Sequence, residues 1–367
     1  MSIVVQTLTP LVLVTVLQVP KSFVGWAIAG FWIANALGAL LAIGVIRNRG
    51  KSTLIGFAVL AVSFAGFAVP AGSLVYVGDI ALSGLGLSIV QTFVVPSMYL
   101  NGSKERPHGG IGSYSTALSI GMISGPLCAA FAIWFFGYSS IFWAFAALSV
   151  FAFAFCLRIG FQKSFDGEDT IKGILPSMLL KTLRQKGFTS YYSLNFLYSM
   201  TLPILLSYGG IFAESKFGIS TAEALGMFTA IFAISTIART FFSRGKVSEF
   251  RNLLWISFAL LVVSFVLIGT ASTFLFFLIG FLIFSIPHAL IYPSVTFLAL
   301  QSGGSEGLLS TTYLFATSSG VAEFLAPLIA VPIIVAFSLS SLFVLFAPVA
   351  IIGFLLALSL PRLLENL

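Results

Sequence analysis

Charge of either sign is scarce in this chain. Asp, Glu, Lys and Arg make up 8% of its 367 residues, where soluble domains carry about a quarter. That leaves too little polar surface for a soluble enzyme or scaffold of this size. Cysteine is nearly absent. Cys128 and Cys156 stand apart in apolar stretches with no CxxC pair, which excludes a disulfide framework and a cysteine metal site. Histidine is as rare, with only His108 and His288. No cluster of His, Asp or Glu interrupts the apolar runs, so no metal, no cofactor and no membrane-embedded catalytic centre is expected. No P-loop pattern occurs, which removes ATP-driven work by this chain alone. Residues 303–307 read G-x-S-x-G, but no strand precedes them, so they are not a nucleophile elbow.

What the chain has in abundance is hydrocarbon. Hydrophobic residues make up 59%, and the mean hydropathy is +1.09. The apolar runs are continuous rather than alternating, and too long for barrel strands. About 30 residues per span and loop give about twelve helices. Spans are read near 3–19, 24–46, 53–71, 75–99, 113–136 and 139–160, then near 189–212, 221–242, 252–271, 273–300, 308–331 and 335–360. The first is short and carries Gln6, Thr7, Thr9 and Pro10, but it lacks the basic flank of a signal peptide and is kept as a span. The expected fold is therefore all-α, with twelve transmembrane helices and the lipid bilayer as solvent.

The few charges fall on one side. With the N-terminus inside, Arg47, Arg49, Lys51, Lys104, Arg106, Arg158, Lys163, Lys172, Lys181, Arg184, Lys186, Arg239, Arg244, Lys246, Arg251 and Arg362 are cytoplasmic, which is 16 of 18. Only Lys21 and Lys216 lie outside. This asymmetry is the positive-inside rule and puts both termini in the cytoplasm. It accounts for the net charge of +7 without nucleic acid as a partner. Arg158 and Arg239 sit at inner helix ends, where their stems can snorkel. Asn101-Gly102-Ser103, a glycosylation pattern, falls on the cytoplasmic side. The one long loop, 162–188, holds an acidic patch and then Leu175, Met178, Leu179 and Leu183 at helical spacing among basic residues. It reads either as a basic amphipathic helix on the inner surface or as a plain linker.

One glycine-rich stretch is more specific. Residues 112–130 place Gly112, Gly121 and Gly125 ahead of Pro126 in a run with no charge from Ser113 to Phe136. Gly121 and Gly125 are four apart, share a helix face and invite close packing, while Pro126 removes a backbone donor. The spacing G-x8-G-x3-G-P resembles the fifth-helix motif of drug/proton antiporters in the major facilitator superfamily, with Ala129-Ala130 where that family has glycines. Residues 137–153 and 216–239 resemble the family's fifth-to-sixth link and its eighth helix.

Landmarks also repeat. Arg49-Gly50-Lys51 matches Arg244-Gly245-Lys246 at an offset of 195, Pro96-Ser97 matches Pro293-Ser294 at 197, and Gly125-Pro126 matches Ala326-Pro327 at 201. Three landmarks in order at nearly one offset indicate two six-helix pseudo-repeats. They divide the chain into 1–161, a central loop 162–188, and 189–367. The resemblance implies the major facilitator fold, with a site between the halves near the midplane. Two positions depart from the family pattern. Arg47 stands where the loop after helix 2 has an acid, and Ile80, next to Asp79, stands where antiporters have a helix-4 arginine.

Polar side chains inside the spans name the candidates. A charge near a span's centre costs at least about 2.5 kcal/mol, so each asks for a reason. Glu323 lies deep in helix 11, His288 follows Pro287 in helix 10, and Asp79 lies near the outer end of helix 4. These are the candidate proton carriers, each with a structural alternative as a neutral, packed or solvated group. Asn35, Gln91, Asn195, Tyr198 and Gln6 are candidate substrate contacts, or interhelical bonds.

The resemblance implies secondary transport by alternating access, with proton-coupled export of a small, largely apolar compound from a monomer in the plasma membrane. Uptake or uncoupled facilitation of a sugar or organic acid stays open, as does a transporter-like sensor. The topology is checked with reporter fusions: a periplasmic or extracellular reporter inserted after Lys21 or Lys216 is expected to be active, and one after Lys51 or Arg184 silent.

Overall fold

The computed structural model describes residues 1–42, 46, 49–69, 71–100, 109–159, 176–185, 187–242, 250–303 and 308–360. Among these, every regular element is an α-helix. In the first half these are α1 (Ser2–Thr15), α2 (Phe23–Leu41), α3 (Arg49–Ala68), α4 (Ser73–Leu100), α5 (Gly109–Phe136) and α6 (Tyr138–Ile159). A short α7 (Pro176–Leu183) follows. The second half holds α8 (Phe188–Phe217), α9 (Thr221–Phe242), α10 (Phe250–Thr270), α11 (Phe274–Ile283), α12 (Ser285–Gly303), α13 (Leu308–Ala336) and α14 (Leu339–Ser359).

The described helices include 11 long and apolar enough to cross a membrane, and α1 is a shorter apolar helix of 14 residues. The expected twelve helices are thus present, and α11 with α12 forms one of them. Pro287 explains the break between these two. It has no N–H to give to the Ile283 carbonyl, so the ladder is interrupted there and the chain restarts at Ser285. The His288 N–H then bonds the Phe284 carbonyl at 3.1 Å. Pro126 does not have this effect, because α5 runs through it.

The chain packs as two compact units. One is Met1–Thr170 with Ser220–Thr229; the other is Ile171–Ile219 with Ala230–Leu367. The two use the same pairings. In the first, α3 packs on α6 and α4, and α1 on α5 and α4. In the second, α10 packs on α14 and on α11 and α12, and α8 on α13 and α12. These are corresponding partners in two six-helix repeats. The short α7 packs on α8 and α13, with Thr182 buried and Lys181 and Arg184 exposed.

Small residues set the closest approaches. In hydrocarbon there is no hydrophobic drive between helices, so backbone proximity and polar contacts hold them. A Cβ on Gly84 of α4 would overlap the Phe31 carbonyl oxygen of α2, and one on Gly38 of α2 would meet the α4 backbone at Leu85. Nearby, Asn35 Nδ2 donates to the Gly84 carbonyl at 3.3 Å. In the second unit, α8 is the central rod. Its 30 residues are buried from Tyr191 onward through Ala213 at most positions. Gly209 lets Phe281 of α11 lie against its backbone. Ser220 and Glu223 form the reciprocal capping box at the start of α9: Glu223 Oε2 accepts from Ser220 N at 2.7 Å and Ser220 Oγ from Glu223 N at 3.3 Å.

Two glycines of one helix make the packing claim measurable. Gly84→Ala forces a Cβ against backbone that cannot swing away and is expected to cost about 1–3 kcal/mol. Gly78→Ala, also in α4, meets nothing within 4 Å and is expected to be neutral or slightly stabilising. Thermal unfolding of the two variants in detergent checks the contrast.

Candidate functional site

The second unit collects the polar residues that its hydrocarbon surroundings penalise. Asn195, Tyr198 and Ser199 are three and four apart on α8 and share a face. Ser319 and Glu323 are four apart on α13, the helix packed beside it. Asn195 Nδ2 donates to Ser319 Oγ at 3.0 Å and to the Phe315 carbonyl at 3.2 Å. Ser199 Oγ donates to Ser319 Oγ at 3.1 Å. One turn away, Ser318 Oγ donates to the Tyr192 carbonyl at 3.2 Å. The α8–α13 contact is therefore stitched by side chains and backbone oxygens together.

Beside this seam lies the Tyr198–His288 pair. Tyr198 Oη and His288 Nδ1 are 2.6 Å apart, with both side chains buried. A phenol donating to Nδ1 leaves the ring proton on Nε2. Phe232 and Phe284 flank the imidazole, with ring centroids at 5.5 and 6.1 Å. The break before α12 places His288 in that helix's first turn, which is how it reaches α8.

Arg239 corrects an expectation. Placed at the inner end of α9, it was expected to snorkel toward the headgroups. It is half-buried instead, and its Nη2 donates to the His288 carbonyl at 3.5 Å. Helical side chains tilt toward the helix N-terminus, which brings the guanidinium back along α9 to the His288 carbonyl. Glu323 lies one turn from Ser319 on α13, the helix bonded to α8. Glu323 itself is half-buried. Four candidates named from sequence, Asn195, Tyr198, His288 and Glu323, thus belong to one assembly. Ser199, Ser319 and Arg239 join it unannounced. A full charge three residues inside a span's end was the available signal for Arg239.

The first unit treats its candidates differently. Asp79 is half-buried on α4 and packs its carboxylate against Gly66 of α3; its backbone carbonyl accepts from Ser63 Oγ at 2.8 Å. Asn35 bonds α4 backbone as described. Gln6 is buried, and its Nε2 donates to Ser2 Oγ at 3.1 Å within α1. Gln91 is exposed on α4. None of these joins another in a cluster among the described residues.

The glycine motif lies in α5. A Cβ on Gly125 would meet Val4 of α1 at 3.2 Å, whereas one on Gly121 would meet nothing within 4 Å. Among the described residues, close packing on this face thus occurs at Gly125 and not at Gly121. Gly112 is within the same helix, Pro126 is buried, and Ala326 and Pro327 are buried in α13. Gly50 and Lys51 open α3, buried and exposed respectively. Arg47, Arg244, Gly245 and Lys246, and the side chain of Arg49, lie outside the described residues.

Comparisons with known proteins agree on the fold. No curated protein matches by sequence. Among solved structures, the nucleoside transporter NupG superposes with a TM-score of 0.75 at 13% identity, covering 97% of this chain and 95% of that one. The POT family transporter PepTSo gives 0.74 at 12%, covering 97% and 93%. The human organic anion transporter MFSD10 gives 0.58 at 19%, covering 94% and 87%. At such identities the likeness is one of architecture. The sequence model of the Major Facilitator Superfamily matches residues 1–322, and on that match the chain, a multi-pass membrane protein, belongs to this superfamily of transporters.

Proposed function

We propose that the protein is a proton-coupled exporter of a small organic compound, working by alternating access, with its coupling residues in the C-terminal half. The observation that carries this reading is the buried Tyr198–His288 hydrogen bond of 2.6 Å, with Arg239 Nη2 on the His288 carbonyl and Glu323 one turn from Ser319 on the neighbouring α13. Two proton-exchanging side chains, an acid and a fixed cation are collected inside a span region where each alone is costly. Structural glue does not need that combination; the Asn195–Ser319 seam already does that work with neutral groups.

Glu323 is the proton carrier in this reading. It lies one turn from Ser319 on α13, and Ser319 bonds Asn195 of α8, three residues before Tyr198, so gaining or losing its proton changes the charge of this region. His288, bonded to Tyr198, orients the phenol and relays the change to α12. The resemblance of residues 112–130 to the drug/proton antiporters supports export. The second reading is uncoupled facilitation, and one feature favours it: Ile80 stands at the antiporters' helix-4 arginine position, while Asp79 packs against Gly66. A plasma-membrane monomer with both termini cytoplasmic completes the proposal.

Purified protein in liposomes carrying an internal pH dye tests the coupling. Adding a transported compound is expected to trigger proton movement, and Glu323→Gln is expected to lose uphill transport while retaining exchange of the compound down its own gradient. Uphill, proton-dependent transport by Glu323→Gln would move the coupling elsewhere. Compound flux without protons selects the facilitator. Tyr198→Phe, which strips the buried His288 Nδ1 of its partner, is expected to lower stability by about 1–3 kcal/mol, read as a drop in the detergent melting temperature.

A further inference from the structure

We infer that the Arg239–His288 corner of the cluster is a carboxylate-binding site, and that the substrate is a small organic acid with an apolar body. This rests on the transport reading above and names the substrate class for it.

The argument starts from unmet hydrogen-bonding capacity. A guanidinium has five N–H donors. Among the described residues, that of Arg239 gives one long bond of 3.5 Å to the His288 carbonyl, and its Nε is buried with no partner. His288 is 8% exposed, and its Nε2 is likewise buried with no partner. In the tautomer in which Tyr198 donates to Nδ1, Nε2 carries the proton and is a second orphaned donor. A buried polar group left unpaired is costly, so two such groups, on a side chain that reaches the His288 carbonyl and on His288 itself, ask for one answer. Two donors, one of them on a fixed cation, are met by an acceptor bearing a negative charge.

A planar carboxylate fits that demand. Its oxygens match the guanidinium fork geometry. One guanidinium beside one imidazole balances a monoanion; a phosphate dianion calls for a second cation, and the cluster contains none. Phe232 and Phe284, both fully buried, wall the imidazole and offer the apolar body its surroundings. On α8, Asn195 Oδ1 is buried and also without a partner. It is an acceptor, spent on neither Ser319 nor Phe315, and it suits a hydroxyl or N–H on the same molecule.

The site also explains coupling economically. Glu323, one turn from Ser319 on the helix packed against α8, and an incoming carboxylate are both negative. Substrate binding and an ionised Glu323 therefore oppose one another, which links proton uptake to substrate binding without any further part.

The test is ligand-induced thermal stabilisation of the purified full-length protein in detergent. Benzoate, hexanoate and mandelate are compared with benzamide, hexanamide and mandelamide, which share their shapes but carry no charge. The acids are expected to raise the melting temperature and the amides not, with the hydroxyl of mandelate adding affinity over benzoate. Arg239→Gln is expected to weaken binding of the acids by about thirtyfold or more, and Arg239→Lys to retain part of it, since charge stays and the fork is lost. The inference is overturned if none of the three acids binds, if acids and amides stabilise equally, or if Arg239→Gln binds the acids as the unmodified protein does. The acid–amide comparison needs no variant, so it decides even if Arg239→Gln fails to fold. Acids that bind but never cross a liposome would remove the transport reading and leave the site. Proton-coupled transport of other compounds without acid binding would do the reverse.

Discussion

The structure depends on one constraint: inside hydrocarbon, a polar atom has only the protein to satisfy it. Backbone groups meet this by remaining in helices. Side chains meet it by bonding across helices, and those bonds then decide which helices touch and where. Asn35 of α2 reaches the carbonyl of Gly84 on α4. Ser264 reaches the Gly280 carbonyl at 2.7 Å, tying α10 to α11. Asn195 and Ser199 reach Ser319 across the α8–α13 seam. Each pairs a short polar side chain with a backbone or hydroxyl brought close by small residues, and the glycines of α2 and α4 are there because the bonds require that proximity.

Against that background, the cluster around Tyr198 and His288 stands out by its excess. Elsewhere the described polar side chains mostly bond back to a carbonyl of their own helix, as Thr7 does to Ile3 and Thr229 to Leu225, or make one interhelical contact. Here a phenol, an imidazole, a guanidinium and a carboxylate share one region of the C-terminal half, and several of their atoms find no partner in the protein. A stable bundle has no use for a half-satisfied network, which is worse than apolar packing. A transporter has a use for it, because a site that binds and releases must leave capacity for something that comes and goes. The two halves are alike in helix pairing, but the N-terminal candidates Asn35, Gln6 and Asp79 do not bond one another.

The break at Phe284–Ser285 links architecture to chemistry. Pro287 interrupts the hydrogen-bond ladder, α12 restarts, and His288 arrives in its first turn facing α8. Interrupted helices in membranes are tolerated where protein surrounds them, and here the surrounding groups are Tyr198, Phe232 and Arg239. The pseudo-equivalent helix of the first half, α4, runs unbroken for 28 residues and carries no such residue at its middle.

Composition and the length of the apolar runs by themselves determined the membrane class and the helical architecture, and three repeated landmarks the two-fold repeat. These follow from the bilayer: about 20 apolar residues per span is a length rule, and scarce charge on one side is a topology rule, so both are legible without contacts. Pro287 and His288 could be read as neighbours, and Glu323 as deep. Their convergence with Tyr198 could not, because it depends on how α8, α12 and α13 rotate about their axes, which neighbouring side chains settle collectively. Gly121 shows the same limit: its spacing from Gly125 promises a shared face, yet only Gly125 meets a neighbour. Arg239 is the clearest case. Position alone places it at a helix end, where water and headgroups would receive it. Only the tertiary structure shows it turned back along α9, where the His288 carbonyl of α12 meets it.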